Sequence, residues 1–141
     1  MLGPITSPVM AQFVARLDVV NAQAEAASGF VWRLRDDGGP GALNHRIFDD
    51  DTLLVNLSVW TDSQSLFDFV YRDDSHRDAL DQRRQWFSVV AEPTAVCWWV
   101  PPTQMPTVAA AQERLVTLRE RGPSVDAFPF RRVIADEFRL P

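Results

Sequence analysis

The stretch that decides the fold is "TLLVNLSVWTDSQSLFDFV", residues 52–70, because the spacing of its apolar side chains changes partway along. Residues 52–60 alternate with a period of two, which is typical of a β-strand. Thr61 followed by Gln64 matches a capping box, so a helix is expected to begin there. The apolar stripe of this helix is expected to consist of Leu66, Phe67 and Val70.

The two faces of the predicted strand differ in their chemistry. One face carries Leu53, Val55, Leu57 and Val59, and the other carries Leu54, Asn56, Ser58 and Trp60. A buried Asn needs hydrogen-bond partners, since an unpaired amide costs free energy. The mixed face therefore indicates either a pocket that holds a ligand, or an Asn paired with neighbouring groups and a Trp in the core.

Further elements are predicted on both sides of this stretch. A helix is expected over about residues 8–27, where apolar residues recur at helical spacing and Gly29 can end it. A short strand over 30–35 would carry Phe30, Trp32 and Leu34 on one face. The other predictions are a loop over 36–51, a helix from Ser75 to about residue 90, a strand over 94–100, and a helix from Thr107 to Gly122.

The order of these elements predicts the fold class. The order is α-β-β-α-α-β with one extra helix, and the two strands joined by the 36–51 loop are expected to pair antiparallel. This pattern is a ferredoxin-like βαββαβ unit that lacks its first strand, which is an α+β fold. No internal repeat or linker interrupts the chain, so residues 1–141 are expected to form a single domain with a C-terminal tail over 121–141.

Composition limits the classes of partner. The chain has 141 residues and a formal net charge of −5, which argues against nucleic acids and anionic membranes as partners. No apolar run approaches the roughly 20 residues of a membrane span. The start of the chain, "MLGPITSPVM", has no signal-peptide pattern, and a single cysteine permits no internal disulfide. A cytoplasmic location is therefore expected.

Several motifs resemble an uncharacterised bacterial domain-of-unknown-function family: "FDDDTLLVNLSVW", "FVYRDDSH", "RRQWF", "WWVP" and "AFPFR". That family is similar to the dimeric α/β-barrel superfamily, which contains antibiotic-biosynthesis monooxygenases and small haem-degrading enzymes. The resemblance implies a homodimer in which the aliphatic strand face meets the partner's sheet and the mixed face meets the protomer's own helices. It also implies that a first strand, expected ahead of "MLGPITSP", is missing, with "PFRRVIA" as the only spare β-like segment.

The candidate site residues follow from the mixed face and from this resemblance. The candidate catalytic residues are Asn56, Trp60 and His76, and the candidate ligand-binding residues are Ser58, Tyr71, Arg83, Trp86 and Trp98. His76 resembles the proximal haem ligand of the haem-degrading enzymes, but a His near a helix start also serves as a capping or surface residue. Arg83 can hold an anionic ligand or form an internal ion pair.

The expected function is binding of a small aromatic or polyketide-like molecule, as in a cofactor-independent monooxygenase. The alternative is a non-catalytic dimeric protein that binds a ligand or haem. No metal site is expected, because the consecutive carboxylates of "DDD", residues 49–51, are typical of a solvated loop. No Gly-rich phosphate loop or metal-spaced Cys/His set is present in the sequence, so no flavin or nicotinamide cofactor is expected. The resemblance to the monooxygenases implies that no external cofactor is required, and haem belongs to the alternative.

Overall fold

A computed structural model describes residues 1, 6–35, 46–50, 53–72, 87 and 92–129. The chain divides into two compact units, Met1–Val89 and Val90–Pro141, and each is described by itself. The loop predicted over 36–51 lies mostly outside the described residues, as does the helix predicted from Ser75 to about residue 90. The spare segment "PFRRVIA" begins at Pro129, and its remainder is also outside them.

The first unit contains two helices and a pair of strands. A 3₁₀ turn at Pro8–Met10 leads into helix α1, Ala11–Ala26, which is followed by strand β1, Phe30–Arg33. Strand β2, Ser58–Trp60, pairs antiparallel with β1 and runs into helix α2, Ser63–Arg72. The α+β class, the first helix and the antiparallel pairing are thus confirmed, and the sheet has two strands within the described part of the chain.

Gly29 sits in the tight turn between α1 and β1. Its φ of 85° lies in the left-handed region, and the Phe30 N–H donates to the carbonyl of Ala27 across the turn. A turn of this geometry favours glycine at its third position. The Gly29 carbonyl also accepts the Thr61 N–H at 2.8 Å, and a side chain at Gly29 would collide with Ser65. Gly29 therefore allows the chain to turn and allows α2 to approach it closely.

A bulge in β1 changes which of its side chains share a face. Phe30 is opposite Trp60, but the next pairs are Trp32 with Val59 and Arg33 with Ser58, so Val31 has no residue opposite it. Residues opposite each other point to the same side of a sheet. The prediction that Phe30, Trp32 and Leu34 share one face is therefore wrong, because the extra residue puts Phe30 and Arg33 on the same side.

The strand predicted over 52–60 is regular only over its last three residues. The pairing extends one step further, since the Leu34 N–H donates to the Leu57 carbonyl at 2.9 Å. β1 has only four residues, so it offers no partner to residues 53–56. Among the aliphatic residues of this segment, Leu57 is buried within the chain and Val59 is half-buried.

Helix α2 begins one residue later than the capping-box pattern indicates. Asp62 accepts the Ser65 N–H through Oδ1 at 2.7 Å, whereas the Thr61 hydroxyl donates to Asp62 Oδ2. The cap is therefore Asp62, and the prediction of Thr61 was wrong, because a carboxylate can accept both bonds. Leu66, Phe67 and Val70 are half-buried, and the buried side chain of this helix is Phe69.

The second unit contains helix α3, Val108–Arg121. Thr107 caps it by accepting the Ala110 N–H at 3.1 Å, and Gly122 ends it with a φ of 75°. Leu115 and Leu118 are the buried side chains of this helix. Both of its predicted ends are thus confirmed.

The strand predicted over 94–100 is reduced to a single bridge. Cys97 and Phe128 exchange both backbone hydrogen bonds, at 2.8 and 3.0 Å. On one side of this bridge the partner segment turns away, because Ser124 and Ala127 close a tight turn there. Arg119 and Arg114 of α3 hold the two segments, donating to the carbonyls of Pro93 and Asp126 respectively.

Candidate functional site

One side of the β1–β2 pair carries the residues that define the candidate site. We call this side the Trp60 face, and it consists of Phe30, Arg33, Ser58 and Trp60. Helix α1 lies on it through the ion pair of Glu25 with Arg33, and helix α2 through the contact of Phe69 with Trp60. The mixed face of the predicted strand therefore does meet helices at its Trp60 end.

An aromatic cluster forms the inner part of this face. The Trp60 indole stacks on the ring of Phe69, with centroids 5.2 Å apart and an angle of 26° between the planes. The Phe30 ring meets Trp60 edge-on, with centroids 5.5 Å apart. Each such pair contributes about 0.5–1.5 kcal/mol beyond burial. The cluster therefore fixes the indole in place while leaving it half-buried.

Polar side chains form the outer part of the same face. Trp60 Nε1 donates to Ser58 Oγ at 3.0 Å, and Ser58 is exposed. Asn56 is also exposed and precedes Ser58 by two residues, which places it on the same side of an extended segment. An aromatic cluster thus borders directly on exposed polar groups.

Arg33 is the residue of this face that sequence analysis missed. Only 7% of its side chain is exposed, and it is the one buried charged residue among those the structure describes. Its Nε donates to Glu25 Oε1 at 2.6 Å, and Nη2 of Arg35 donates to the same oxygen at 2.7 Å. The hydrogen bond from Arg33 is the largest cause that lowers the pKa of Glu25. A register bulge cannot be recognised from residue types, so no signal pointed to this position.

The structure does not bring Tyr71 together with Trp60. Tyr71 is 41% exposed, and its ring contacts Phe67 with centroids 5.0 Å apart. Phe69, two residues earlier, is the ring that meets Trp60, and residues two apart project from different sides of a helix. Phe69 therefore contributes the ring of α2 at the Trp60 face, and the role of Tyr71 as a ligand-binding residue stays a prediction.

The remaining candidates are Trp98 and three residues that the structure does not describe. Trp98 belongs to the second unit, where it is half-buried. Three candidates fall outside the described residues, namely His76, Arg83 and Trp86.

Two observations concern the metal-binding side-chain types and the single cysteine within residues 6–35, 46–50, 53–72 and 92–129. No group of three or more His, Cys, Asp or Glu side chains in this part of the chain is arranged to hold a metal ion. Burial raises the pKa of Cys97 to about 11, so the thiol stays protonated at neutral pH.

None of the described helices has the length and apolar character needed to cross a membrane.

Comparison with known proteins identifies the family of the chain. No curated protein and no solved structure matches it. One family model, described as "Domain of unknown function (DUF3291)", matches residues 1–139, which is nearly the whole chain. The protein therefore belongs to the DUF3291 family.

Proposed function

We propose that this protein binds a small aromatic molecule on the Trp60 face. The observation that carries the proposal is the hydrogen-bonded pair of Trp60 and Ser58, which lies where the aromatic cluster gives way to exposed polar groups. Binding sites for small molecules combine apolar and aromatic walls with a few placed polar groups. Trp60 is half-buried, so a ligand ring can cover its open part.

The roles of the site residues follow from their positions. Trp60, supported by Phe69 and Phe30, provides the apolar wall. Ser58 and Asn56 are exposed beside it and supply hydrogen bonds to the polar group of the ligand. Burying aromatic surface gains about 25 cal/mol per Å², whereas these polar contacts set orientation.

The resemblance to monooxygenases extends this proposal from binding to catalysis. An electron-rich aromatic substrate would react with O₂ at a CH₂ carbon, which becomes C=O, while the second oxygen atom leaves as water with the two hydrogens. The substrate itself supplies the electrons, so no external cofactor is required. Asn56 would hold a substrate oxygen during this reaction. Only the resemblance supports the oxidation step, whereas the geometry of the Trp60 face supports binding.

We also propose that the first unit is half of a ferredoxin-like fold that pairs into a dimeric α/β-barrel. Two observations support this: β1 and β2 are antiparallel, and α1 and α2 both cover the Trp60 face. The opposite side, which carries Val59, would then meet the sheet of a second copy.

The binding proposal is tested by ¹⁹F NMR of protein labelled with 5-fluorotryptophan. The sequence has five tryptophans, and Trp60→Phe identifies the signal of Trp60. Titration with 2-acetylnaphthalene should shift this signal. Trp99→Phe is the matched control, because Trp99 contacts Phe128 in the second unit and its replacement should leave the titration unchanged. A Trp60 signal that does not move up to the solubility limit of the probe rejects the proposal.

Two further assays separate the catalytic form and the haem alternative. Oxygen uptake with an anthrone as substrate, lost in Asn56→Ala, would support catalysis, and no uptake above the buffer rate would leave binding alone. Titration with haemin should give no Soret shift if the ligand is a simple aromatic molecule. A shift that disappears in His76→Ala would instead favour haem binding.

A further inference from the structure

We infer that Ser58 is the specificity-determining hydrogen-bond donor of the Trp60 face, so that the ligand is an aromatic compound with an acceptor oxygen beside its ring. This inference rests on the proposed function and names the chemical class of its ligand. It depends on the direction of one hydrogen bond, that between Trp60 and Ser58.

The direction of that bond is set by chemistry. The indole N–H of Trp60 can only donate, so Ser58 Oγ, 3.0 Å away, must accept. A serine hydroxyl carries a single hydrogen, and this hydrogen points away from the N–H that the oxygen accepts. Within the described part of the chain, no group accepts a hydrogen bond from the Ser58 hydroxyl, and Ser58 is exposed. Its O–H is therefore directed outward, where a ligand oxygen can receive it.

Accepting the indole N–H also makes Ser58 a better donor. A hydroxyl whose oxygen accepts one hydrogen bond is polarised, which strengthens the bond that its own hydrogen makes. The same contact occupies the N–H of Trp60. The tryptophan therefore presents apolar surface to the ligand and no hydrogen-bond donor. The preference for one kind of hydrogen-bonding group on the ligand then depends on Ser58.

The neighbouring polar groups do not compete for this role. Arg33 lies opposite Ser58 across the strands, but its Nε is engaged by Glu25 and its Nη1 by the Leu34 carbonyl. Asn56 is exposed and can also donate to a ligand oxygen, but its amide can equally accept, so it does not by itself require an acceptor on the ligand. The Ser58 oxygen is held beside the indole by the bond from Trp60, so we expect the loss of Ser58, rather than of Asn56, to remove most of the preference for a ligand acceptor.

A matched pair of probes tests the inference. 2-Acetylnaphthalene and 2-isopropenylnaphthalene have nearly the same shape, but the first carries C=O where the second carries C=CH₂. The ketone should bind about threefold to tenfold more tightly, as expected for one neutral hydrogen bond. The affinities are measured from the Trp60 ¹⁹F signal.

Variants of Ser58 then test whether this residue causes the preference for the ketone over the alkene. In Ser58→Ala the ratio of the two affinities should fall to about one, because the outward O–H is gone and the indole N–H faces a methyl group. Ser58→Thr keeps the hydroxyl and should keep the ratio. Ser58→Cys has only a weak donor and should lower the ratio, which provides a second variant of similar size.

The possible results separate the inference about Ser58 from the proposed binding of an aromatic ligand on which it rests. Equal affinities of the two probes for the natural protein, or a ratio that persists in Ser58→Ala, would overturn the inference and leave aromatic binding standing. Failure of both probes to shift the Trp60 signal would reject the proposed function and the inference together.

Discussion

At the scale of single residues, solvent exposure decides how much a charged side chain contributes to stability, and the backbone conformation decides where glycine is required. Arg33 and Arg35 bond the same oxygen of Glu25 at almost equal distances. Their side chains are exposed by 7% and 52%, so the two ion pairs differ mainly in solvent access. Both arginines share the solvent-exposed Glu25, so screening by water and salt limits what either ion pair contributes, whereas the buried Arg33 side chain also contributes packing.

The first prediction compares these two arginines. Arg33→Ala should lower the free energy of unfolding by about 2–3 kcal/mol, since it removes a buried side chain and leaves a gap in the packing. Arg35→Ala should lower it by no more than about 1 kcal/mol. Urea denaturation followed by circular dichroism measures both. Equal effects would contradict the difference in burial.

The second prediction concerns two glycines with positive φ. Gly122→Ala should cost about 1–3 kcal/mol from backbone strain alone, because nothing lies within 4 Å of the added carbon. Gly29→Ala should cost more, because the added carbon also collides with Ser65 and lies 2.8 Å from Thr61 Oγ1. Thermal unfolding of the two variants gives the comparison. Recovery of part of the loss in the double variant Gly29→Ala, Ser65→Gly would identify the collision as its cause.

At the scale of elements, capping residues fix the ends of the helices, and the length of the partner strand fixes the ends of each strand. Helix α3 begins at Thr107 and ends at Gly122 because both ends are satisfied locally. Strand β2 is shorter than its sequence pattern because β1 is short. The bulge at Val31 then decides which residues of β1 join Ser58 and Trp60. Local chemistry thus determines the helix ends, and pairing determines the strand ends and faces.

The third prediction concerns the cap of α2. The hydrogen bond from the Ser65 N–H is the largest cause that lowers the pKa of Asp62 below its ordinary value of 3.8. The cap is therefore fully effective above the pKa of the unfolded chain, and its contribution is lost as the pH falls through the lower pKa of the folded state. Asp62→Ala should cost about 1 kcal/mol at pH 7 and less near pH 3.

Thr107→Ala is the matched control for this cap. Thr107 caps α3 through a hydroxyl that does not titrate in this range, so its loss should cost about 1 kcal/mol at either pH. Urea denaturation at pH 7 and pH 3 measures both variants. A pH-independent cost of Asp62→Ala would show that the carboxylate charge contributes nothing to the cap.

At the scale of the whole molecule, the chain consists of two compact units within a single family match over residues 1–139. In the first unit, both helices lie on the Trp60 face, which holds the candidate site. In the second, α3 holds the segments around Cys97 and Phe128 through Arg119 and Arg114. The proposed pairing of two copies concerns the first unit and the side opposite to its helices.

The fourth prediction tests that pairing. Light scattering after size exclusion should give twice the mass of the chain, and Val59→Glu should reduce it to the mass of one chain, because a carboxylate is costly in an apolar interface. Ser58→Glu places the same charge on the Trp60 face and should leave the dimer intact. A single-chain mass for the natural protein across a hundredfold range of concentration would rule out a stable homodimer.

The sequence by itself determined helices α1, α2 and α3, the α+β class and the antiparallel pairing, because these depend on apolar spacing, on Thr107 and on the glycines at 29 and 122. Its period of two also put Ser58 and Trp60 on one face, and the resemblance implied that this face meets helices. Only the tertiary structure decided that Arg33 joins them, that Phe69 rather than Tyr71 meets the indole, and that Asp62 caps α2. The difference has a physical reason. Helical spacing and most caps are local, whereas a bulge, a buried ion pair and a ring contact depend on residues that folding brings together.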